Sequence, residues 1–387
     1  MAASVLSKAG FKVTVLEKKR GPAAKLLIAG RSGLNVSNAS PDKAIWKNYT
    51  GPQDHFQKIF EQFSVADWLS FINDLGIKTF LGATQRYFVE GLKAASLLKS
   101  WIRDLKSRGV DFLYGCELTD FHLTEDGKLA LELNHDQSNL KKFSAVCLCL
   151  GGASFEPKET PLRWPQIFRN KGIGFTEFEA ANAGYEVAWD KKFLEECSGK
   201  PLKNITITSR QGREYGEIMV TDYGLEGTPI YNLIQPQEIH IDLKPDISDE
   251  NILRKMSGVK ENLSPLRRAV KTLNLSLVAQ SLLHHHAHES SKSDLINFSH
   301  LIKNFPVQLL GKRGLQESIS SSGGVLWDEL NESLMLKKTP GVFVAGEMLD
   351  WDAPTGGYLI QACASQGYWA GRGMVAYLRG LMSIVKV

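Results

Sequence analysis

The sequence predicts an α/β fold in which a parallel sheet receives strands from both ends of the chain. Residues 144–150 and 341–345 are short apolar runs that each end at glycine. Such runs are typical of strands buried on both faces of a parallel sheet. Between them, short alternating strands over 182–246 and a helical pattern from about 249 to 305 predict a β-rich insert and a helical subdomain.

The N-terminal residues predict a helix followed by a strand. Residues 4–9 have the composition of a last helical turn that Gly10 stops, and residues 11–17 predict a strand ending in Glu17. At that position in a dinucleotide-binding fold, an acidic residue accepts hydrogen bonds from the adenosine ribose hydroxyls. An exposed strand end that carries a charge is the alternative interpretation.

The next elements follow from periodicity. Apolar residues at helical spacing predict helices over 54–75 and 94–108, and residues 110–114 predict a strand. Residues 118–123 and 129–133 flank Asp-Gly, which predicts a hairpin.

The stretch 339–358 carries the strongest sign of a cofactor. A buried strand would deliver Gly346 to a place where a Cβ would collide with a bound group, and Glu347 follows directly. Gly356 and Gly357 open a helix whose free N–H groups point outward. In flavoproteins such a helix start stabilises the negative charge that develops on the reduced ring. A turn serving only chain reversal is the alternative, and it does not account for the adjoining strand and acid.

Composition limits the class of protein. The chain has 387 residues, a 43% apolar fraction, 23% charged residues and a formal net charge of +4, which suits two or three globular domains. Nothing in this charge demands nucleic acid or a membrane as a partner. Five cysteines without Cys-x-x-Cys spacing favour a reducing compartment. Neither a signal peptide nor a membrane span is recognisable in the sequence, so we expect a cytoplasmic protein.

Two further patterns have plain structural explanations. His284 and His288 share one helix face at i,i+4 and could bind zinc, but no Glu lies between them in the required order. A solvated histidine-rich helix is the better interpretation, and we predict no metal site. Cys147 and Cys149 lie on one face of a strand, and we expect them to be buried small hydrophobic residues.

At this point the chain resembles a known family. Residues 339–371 resemble the C-terminal signature of the BaiN-like (YhiN-like) flavoproteins, and the resemblance extends over nearly the whole chain. The other motifs recur in the family's order: Glu17 and Lys25; Ala29-Gly30-Arg31, Gly33, Asn35 and Ser37-Asn38; Arg86, Phe88, Lys93 and Ala94; Leu150 to Ser154; Gly216-Glu217, Thr221, Tyr223-Gly224, Gly227 and Pro229; and Ser321 to Val325.

The resemblance implies a fold, a cofactor and a reaction. The fold would be a Rossmann-type FAD-binding domain of the two-dinucleotide-binding-domain type, made of residues 1–181 and 311–387. The β-rich domain would cover 182–248 and the helical subdomain 249–310. The cofactor would be FAD, with NAD(P)H as a transient reductant, and the hydride would pass to an unidentified small-molecule electron acceptor.

The resemblance and the reasoning above also imply site residues. The expected cofactor-binding residues are Glu17, Lys25, Gly33, Asn35, Leu118, Gly151, Gly152, Gly346, Glu347, Asp350, Gly356, Gly357 and Tyr358. Arg86 and Tyr223 are expected on the substrate side. No residue is assigned as proton donor.

One departure concerns the start of the chain. The family's first strand and its Gly-x-Gly-x-x-Gly turn, which holds the FAD pyrophosphate, precede the position of Met1. We therefore expect this chain to bind FAD weakly or not at all. We expect the cause of the missing segment to be a start codon placed too late or a truncated gene. The alternative function is a flavin-free, non-catalytic remnant that acts at most as an interaction protein. The presence of Glu17 and of Gly356 and Gly357 favours the enzyme.

Overall fold

The computed structural model describes most of the chain as two units. The described residues are 1–30, 33–39, 44–82, 84–134, 141–155, 162–233, 237–259, 262–286 and 294–384. Unit 1 combines Met1–Glu179 with Ile319–Val387, and unit 2 is the continuous stretch Ala180–Ser318. Helices and sheets occur in both units, which confirms the predicted α/β class.

The helices are distributed along the whole chain. They are α1 Ala2–Lys8, α2 Ala24–Ala29, α3 Gln53–Gln62, α4 Val65–Asp74, α5 Ala94–Ser107, α6 Trp164–Asn170, α7 Lys191–Cys197, α8 Thr228–Tyr231, α9 Asp249–Ser257, α10 Pro265–Leu273, α11 Leu277–His285, α12 Leu295–Lys303 and α13 Tyr358–Ile384. None of the described helices is long and apolar enough to cross a membrane.

The single helix predicted over 54–75 is wrong: the segment forms α3 and α4. Ser64 separates them with an extended backbone, and its hydroxyl accepts a hydrogen bond from the Asp67 amide. The Asp67 carboxylate in turn accepts from the Ser64 amide at 2.8 Å. This capping box starts a new helix inside a run of helical periodicity.

The strands are mostly short. They are β1 Thr14–Glu17, β2 Asn35–Asn38, β3 Thr79–Leu81, β4 Arg86–Val89, β5 Asp111–Tyr114, β6 Leu118–Leu123, β7 Leu129–Leu133, β8 Lys141–Phe143, β9 Val146–Leu148, β10 Phe175–Ala181, β11 Tyr185–Glu186, β12 Pro201–Ser209, β13 Gly212–Val220, β14 Gly224–Glu226, β15 Glu238–Asp242, β16 Phe305–Gln308, β17 Gly311–Lys312, β18 Ser320–Val325 and β19 Val342–Val344.

The parallel pairing expected for the two ends of the chain is confirmed in unit 1. β1 pairs with β5 in parallel, and β9 pairs with β19 in parallel. The three side chains of β19 are all buried, as expected for a strand covered on both faces. The antiparallel sheets β2-β4-β3 and β6-β7-β8 and the two-stranded sheet β10-β18 complete the described sheets of this unit.

Helix α13 is the central helix of unit 1, and α1 packs closely against it. A Cβ on Gly371 would lie 2.9 Å from Val5 Cβ and 3.1 Å from Ala2 Cα. Glycine therefore permits an approach of the two helices that alanine would obstruct. The apolar core of this unit includes the fully buried Phe121 and Phe343.

Unit 2 has its own sheet and its own apolar core. Its seven strands follow the order β16-β15-β12-β13-β14-β11-β17. Alternate residues such as Ile205 and Ile207 on β12 are buried, as are Ile239 and Ile241 on β15. Helices α7 and α9 to α12 contribute the rest of this core.

Candidate functional site

A first cluster of predicted residues forms around Lys25, on the short helix α2. The Lys25 ammonium donates a 2.6 Å hydrogen bond to the carbonyl oxygen of Gly152. Gly151 has φ +81°, and a Cβ there would lie 3.7 Å from Lys25 Nζ. A Cβ on Gly152 would lie 3.3 Å from the Glu347 carbonyl oxygen. Four of the predicted cofactor-binding residues therefore lie together.

The charges of this cluster influence one another. Burial raises the pKa of the Glu347 carboxyl, and the neighbouring Asp352 charge adds to the rise. The Lys25 ammonium acts in the opposite direction and lowers that pKa. The cluster thus places one cation beside a half-buried acid and the open backbone of Gly151.

Strand β18 fixes the glycine loop after β9. The Ser321 hydroxyl accepts a 2.9 Å hydrogen bond from the Ala153 amide. It also lies so near Gly152 that a Cβ at this position would overlap it. Glycine at 152 therefore permits a close approach of the loop to the Ser321 hydroxyl.

A second cluster forms where the turn before α13 meets β2 and β4. Gly356 has φ +112°, and a Cβ there would lie 3.0 Å from Arg86 Nε. The Asn38 amide donates a 3.3 Å hydrogen bond to the Gly356 carbonyl oxygen. Gly357 has φ +95°, and a Cβ there would lie 2.6 Å from the Ser37 backbone nitrogen. Only glycine fits at 357, because the obstacle is backbone.

Tyr358, the first residue of α13, belongs to this second cluster. Burial raises the pKa of its phenol, and the charge of Arg86 opposes the rise. The Tyr49 hydroxyl donates a 2.8 Å hydrogen bond to the Tyr358 carbonyl oxygen. The predicted substrate-side residue Arg86 therefore lies at the same turn as three predicted cofactor-binding residues.

Other predicted residues have different surroundings. Glu17 ends β1, and its carboxylate accepts a 2.8 Å hydrogen bond from the Lys19 amide. The Asp350 carboxylate accepts a 2.8 Å hydrogen bond from the Thr176 hydroxyl. Leu118 begins β6, and its side chain is only 8% exposed within the apolar core of unit 1. Among the described residues, these contacts of Glu17, Asp350 and Leu118 involve neither cluster.

Three more predicted residues take up loop or strand-end positions. Gly33 has φ +128°, and a Cβ there would lie 3.7 Å from Leu92 Cβ. Asn35 begins β2, where it pairs with Phe88 of β4. The Gly346 amide donates a 2.7 Å hydrogen bond to the side-chain oxygen of the buried Gln366.

Tyr223, the second predicted substrate-side residue, lies in unit 2. Its hydroxyl donates a hydrogen bond to the Glu226 carboxylate, and the Arg313 guanidinium lies 4.5 Å from its ring centroid. Burial, and then the Glu226 carboxylate, raise the pKa of this phenol well above its ordinary range. Tyr223 is therefore neutral at physiological pH.

Open backbone and unsatisfied buried groups test whether unit 1 suits FAD. A Cβ on Gly346, at φ +83°, would meet only the Cys363 sulfur, at 3.6 Å. Among the described residues, Ser37 Oγ and Gln366 Nε2 are buried without a hydrogen-bond partner. A ligand rich in oxygen and ring nitrogen would satisfy such groups. The open backbone at Gly346 and these two donors therefore fit the hydrogen-bond acceptors of FAD.

Sequence reasoning missed some of these polar groups. Ser37, Asn38 and Ser321 belong to motifs of the sequence, but these motifs do not assign them to the site. Gln366 had no local signal, although a polar residue on the otherwise apolar face of a long helix could have marked it.

Within the described ranges, no three His, Cys, Asp or Glu side chains converge as metal ligands. His284 is exposed, whereas His288 lies outside the described residues. The expectation that both cysteines are buried is wrong, because β9 ends at Leu148 and Cys149 beyond it is exposed. The Cys147 and Cys149 sulfurs lie 3.6 Å apart.

Two relatives match this chain over nearly its whole length. The chain is 21% identical to the 3-dehydro-bile acid delta(4,6)-reductase of Clostridium scindens, over 96% of this chain and 94% of that protein. It is 22% identical, over the same shares, to the ribosomal RNA dihydrouridine synthase of Escherichia coli.

Among solved structures, the 3-ketosteroid-delta4-(5alpha)-dehydrogenase of Rhodococcus jostii RHA1 has a similar fold. Its TM-score is 0.50 and its sequence identity 13%, over 97% of this chain and 94% of that one. Family and relatives point to an FAD-dependent oxidoreductase, and the Rossmann-type fold is confirmed. The family described as HI0933-like protein Rossmann domain matches residues 1–373, and the chain belongs to it.

Proposed function

We propose that this chain is an FAD-dependent reductase that adds hydrogen across a carbon–carbon double bond of an organic acceptor. The observation that carries the proposal is the meeting of Arg86 with the Gly356 turn at the start of α13. A helix start favours negative charge on a bound ring, and a guanidinium beside it favours an acceptor oxygen. The helix start suits the flavin, which gives the hydride, and the guanidinium suits the acceptor, which receives it.

The names of the relatives support this class of acceptor. One is a delta(4,6)-reductase and the other a dihydrouridine synthase. Both names describe the addition of hydrogen to an unsaturated ring. We infer an acceptor whose double bond lies next to a carbonyl group, because a carbonyl oxygen can take up the charge that hydride addition creates.

The residues of this chain would share the work as follows. Lys25, Gly151 and Gly152 would hold the negatively charged part of FAD, and Glu347 a ribityl hydroxyl. The free N–H groups of the α13 start would face the ring, and Arg86 the acceptor. FAD would supply two-electron chemistry when bound, with NAD(P)H as its transient reductant. The Tyr223 hydroxyl gives its one hydrogen to the Glu226 carboxylate, so no donor role toward the acceptor is proposed for it.

A titration with FAD tests the proposal. The purified chain is titrated with FAD and followed by flavin absorption and fluorescence. NADH or NADPH is then added without oxygen. We expect Lys25→Met to weaken FAD binding about tenfold, since it removes a cation from the cluster. Lys58→Met is the control, because Lys58 forms an exposed ion pair with Glu332.

A longer form of the chain distinguishes weak FAD binding from the absence of an FAD site. The same titration is made on the chain extended by any in-frame residues that its gene encodes before Met1. A folded protein that binds no FAD in either form would contradict the proposal. Bleaching of bound flavin by only one of the two nicotinamide nucleotides would identify the reductant.

A further inference from the structure

One face of the antiparallel sheet β2-β4-β3 combines polar and aromatic side chains. Asn38 of β2 is the cross-strand partner of Arg86, and Phe80 of β3 is the partner of Phe88. Arg86 and Phe88 are two residues apart on β4, so their side chains point to the same face. The four side chains therefore share one face of this sheet.

The aromatic end of this face is partly open to solvent. The Phe80 and Phe88 rings are stacked, with centroids 5.8 Å apart and planes 25° from parallel. Phe80 remains 47% exposed, which is unusual for so large an apolar side chain. A Cβ on Gly82 would lie 2.8 Å from Phe88 Cε2, so the absent side chain lets the Phe88 ring lie across β3.

The polar end of the same face adjoins the candidate flavin turn. Arg86 Nε lies 3.0 Å from the position of a Cβ on Gly356, and Asn38 binds the Gly356 carbonyl. Two residues of a strand span about 7 Å. The Arg86 guanidinium and the Phe80–Phe88 pair are thus separated by a distance comparable to the length of a two-ring molecule.

We propose that Phe80 and Phe88 are the apolar wall of the acceptor site and that Arg86 positions the carbonyl-type oxygen of the acceptor. The ligand is a planar, apolar ring system that carries one such oxygen, either a ketone or a carboxylate. The inference deepens the proposed function and rests on it. Stacking on the phenylalanines sets the plane of the ring, and the guanidinium sets which end faces the turn.

Three naphthalene probes test the ligand chemistry directly. They are 2-acetylnaphthalene, 2-naphthoate and 2-naphthalenemethanol, which share the ring and differ in the oxygen group. Their dissociation constants are measured by saturation-transfer NMR on the full chain, with and without FAD. We expect Phe80→Ala to weaken all three about fivefold, through the loss of stacking. Tyr114→Ala is the control, because Tyr114 is a 39% exposed aromatic residue on β5 of the same unit.

Arg86→Met separates the polar contribution from the apolar one. We expect it to weaken the ketone and the carboxylate, the carboxylate by about tenfold, and to leave the alcohol within about twofold. A larger loss for the ketone would identify a neutral acceptor. Gly82→Ala, which forces the Phe88 ring to move, should weaken all three probes while Phe80 stays in place.

Several outcomes would overturn the inference. Equal effects of Phe80→Ala and Tyr114→Ala would mean that the probes bind elsewhere. An Arg86→Met loss that is the same for the alcohol would exclude a role in orienting the oxygen. A shift of oligomeric state in Phe80→Ala on gel filtration, without a change in probe binding, would make this face a contact between copies. FAD binding without probe binding would overturn this inference and leave the proposed function standing, whereas probe binding without FAD binding would overturn the proposed function and, with it, the acceptor role of this face.

Discussion

The Lys25 ammonium lies 2.6 Å from the Gly152 carbonyl oxygen, and the two residues are 127 positions apart in the chain. This hydrogen bond joins the helix after β1 to the loop after β9. It also sets a positive charge beside the half-buried Glu347 carboxyl, whose pKa it lowers. One side chain thus links the geometry of the first cluster to its electrostatics.

Replacing Lys25 tests that link in the absence of a ligand. Lys25→Met removes the hydrogen bond to Gly152 and leaves a buried acceptor unsatisfied. We expect the free energy of unfolding in urea to fall by about 1–2 kcal/mol. Lys58→Met should change it by less than about 0.5 kcal/mol, because an exposed ion pair contributes little. Equal losses in the two variants would contradict the structural role of Lys25.

Glu347 should make stability depend on pH. Burial raises its pKa above the ordinary value of 4.5, so between 4.5 and the raised pKa the native state binds more protons than the unfolded chain. The contribution of this group to stability is therefore full below pH 4.5 and is lost as the pH rises through the raised value. The loss is about 1.4 kcal/mol for each unit of the rise.

Glu347→Gln removes this titration. We expect the melting temperature of Glu347→Gln, relative to that of the parent chain, to increase as the pH rises from 4.5 to neutrality. Glu90→Gln, at an exposed position of unit 1, controls for the loss of one charge. A difference between Glu347→Gln and the parent that stays constant with pH would show that the carboxyl does not titrate in this range.

Gly357 should tolerate no side chain. Gly357→Ala places a methyl group against the Ser37 backbone, and we expect a loss of more than about 3 kcal/mol in the free energy of unfolding. Gly10→Ala is the matched control, since Gly10 also has positive φ but has open space around it. It should cost about 1–2 kcal/mol through backbone strain alone. Similar losses at both positions, measured by thermal melting, would refute the close packing at Ser37.

Cys149 should be the first cysteine to react with iodoacetamide. It is exposed, and the hydrogen bond from Cys147 lowers the pKa of its thiol. Cys197 is buried, and burial raises the pKa of its thiol. Peptide mass spectrometry should find Cys149 modified at least about tenfold faster than Cys197. Cys147→Ala should slow the reaction of Cys149, and an unchanged rate would mean that the sulfur–sulfur contact has no effect.

Local patterns predicted the elements whose ends are marked in the sequence. The helix expected over 94–108 is α5, Ala94–Ser107, because regular apolar spacing ends at Gly109. The hairpin around Asp126 and Gly127 forms as expected, and Gly127 takes the positive φ that such a turn requires. The division at Ser64 was missed because capping depends on a hydrogen bond that periodicity does not reveal.

The site, too, has parts that local sequence patterns predict and parts that they do not. Gly356 and Gly357 were predicted because a strand, an acid and a glycine pair follow one another in the sequence. The contact of Arg86 with Gly356 could not be predicted from local patterns, because it depends on the path of the chain between the two residues. The stacked Phe80 and Phe88 were missed for the same reason, although Phe88 lay within a recognised motif. The four-part domain division and the roles of the site residues remain predictions.

Unit 1 is assembled from two separate stretches of the chain, and this has a consequence for biosynthesis. Asn38 binds the Gly356 carbonyl across 318 positions, so the second cluster cannot close until the ribosome has made nearly the whole chain. Unit 2 is continuous, Ala180–Ser318, and its strands can pair while the last strand and helix of unit 1 are still untranslated. The nascent chain therefore holds residues 1–179 with an incomplete apolar core during that interval.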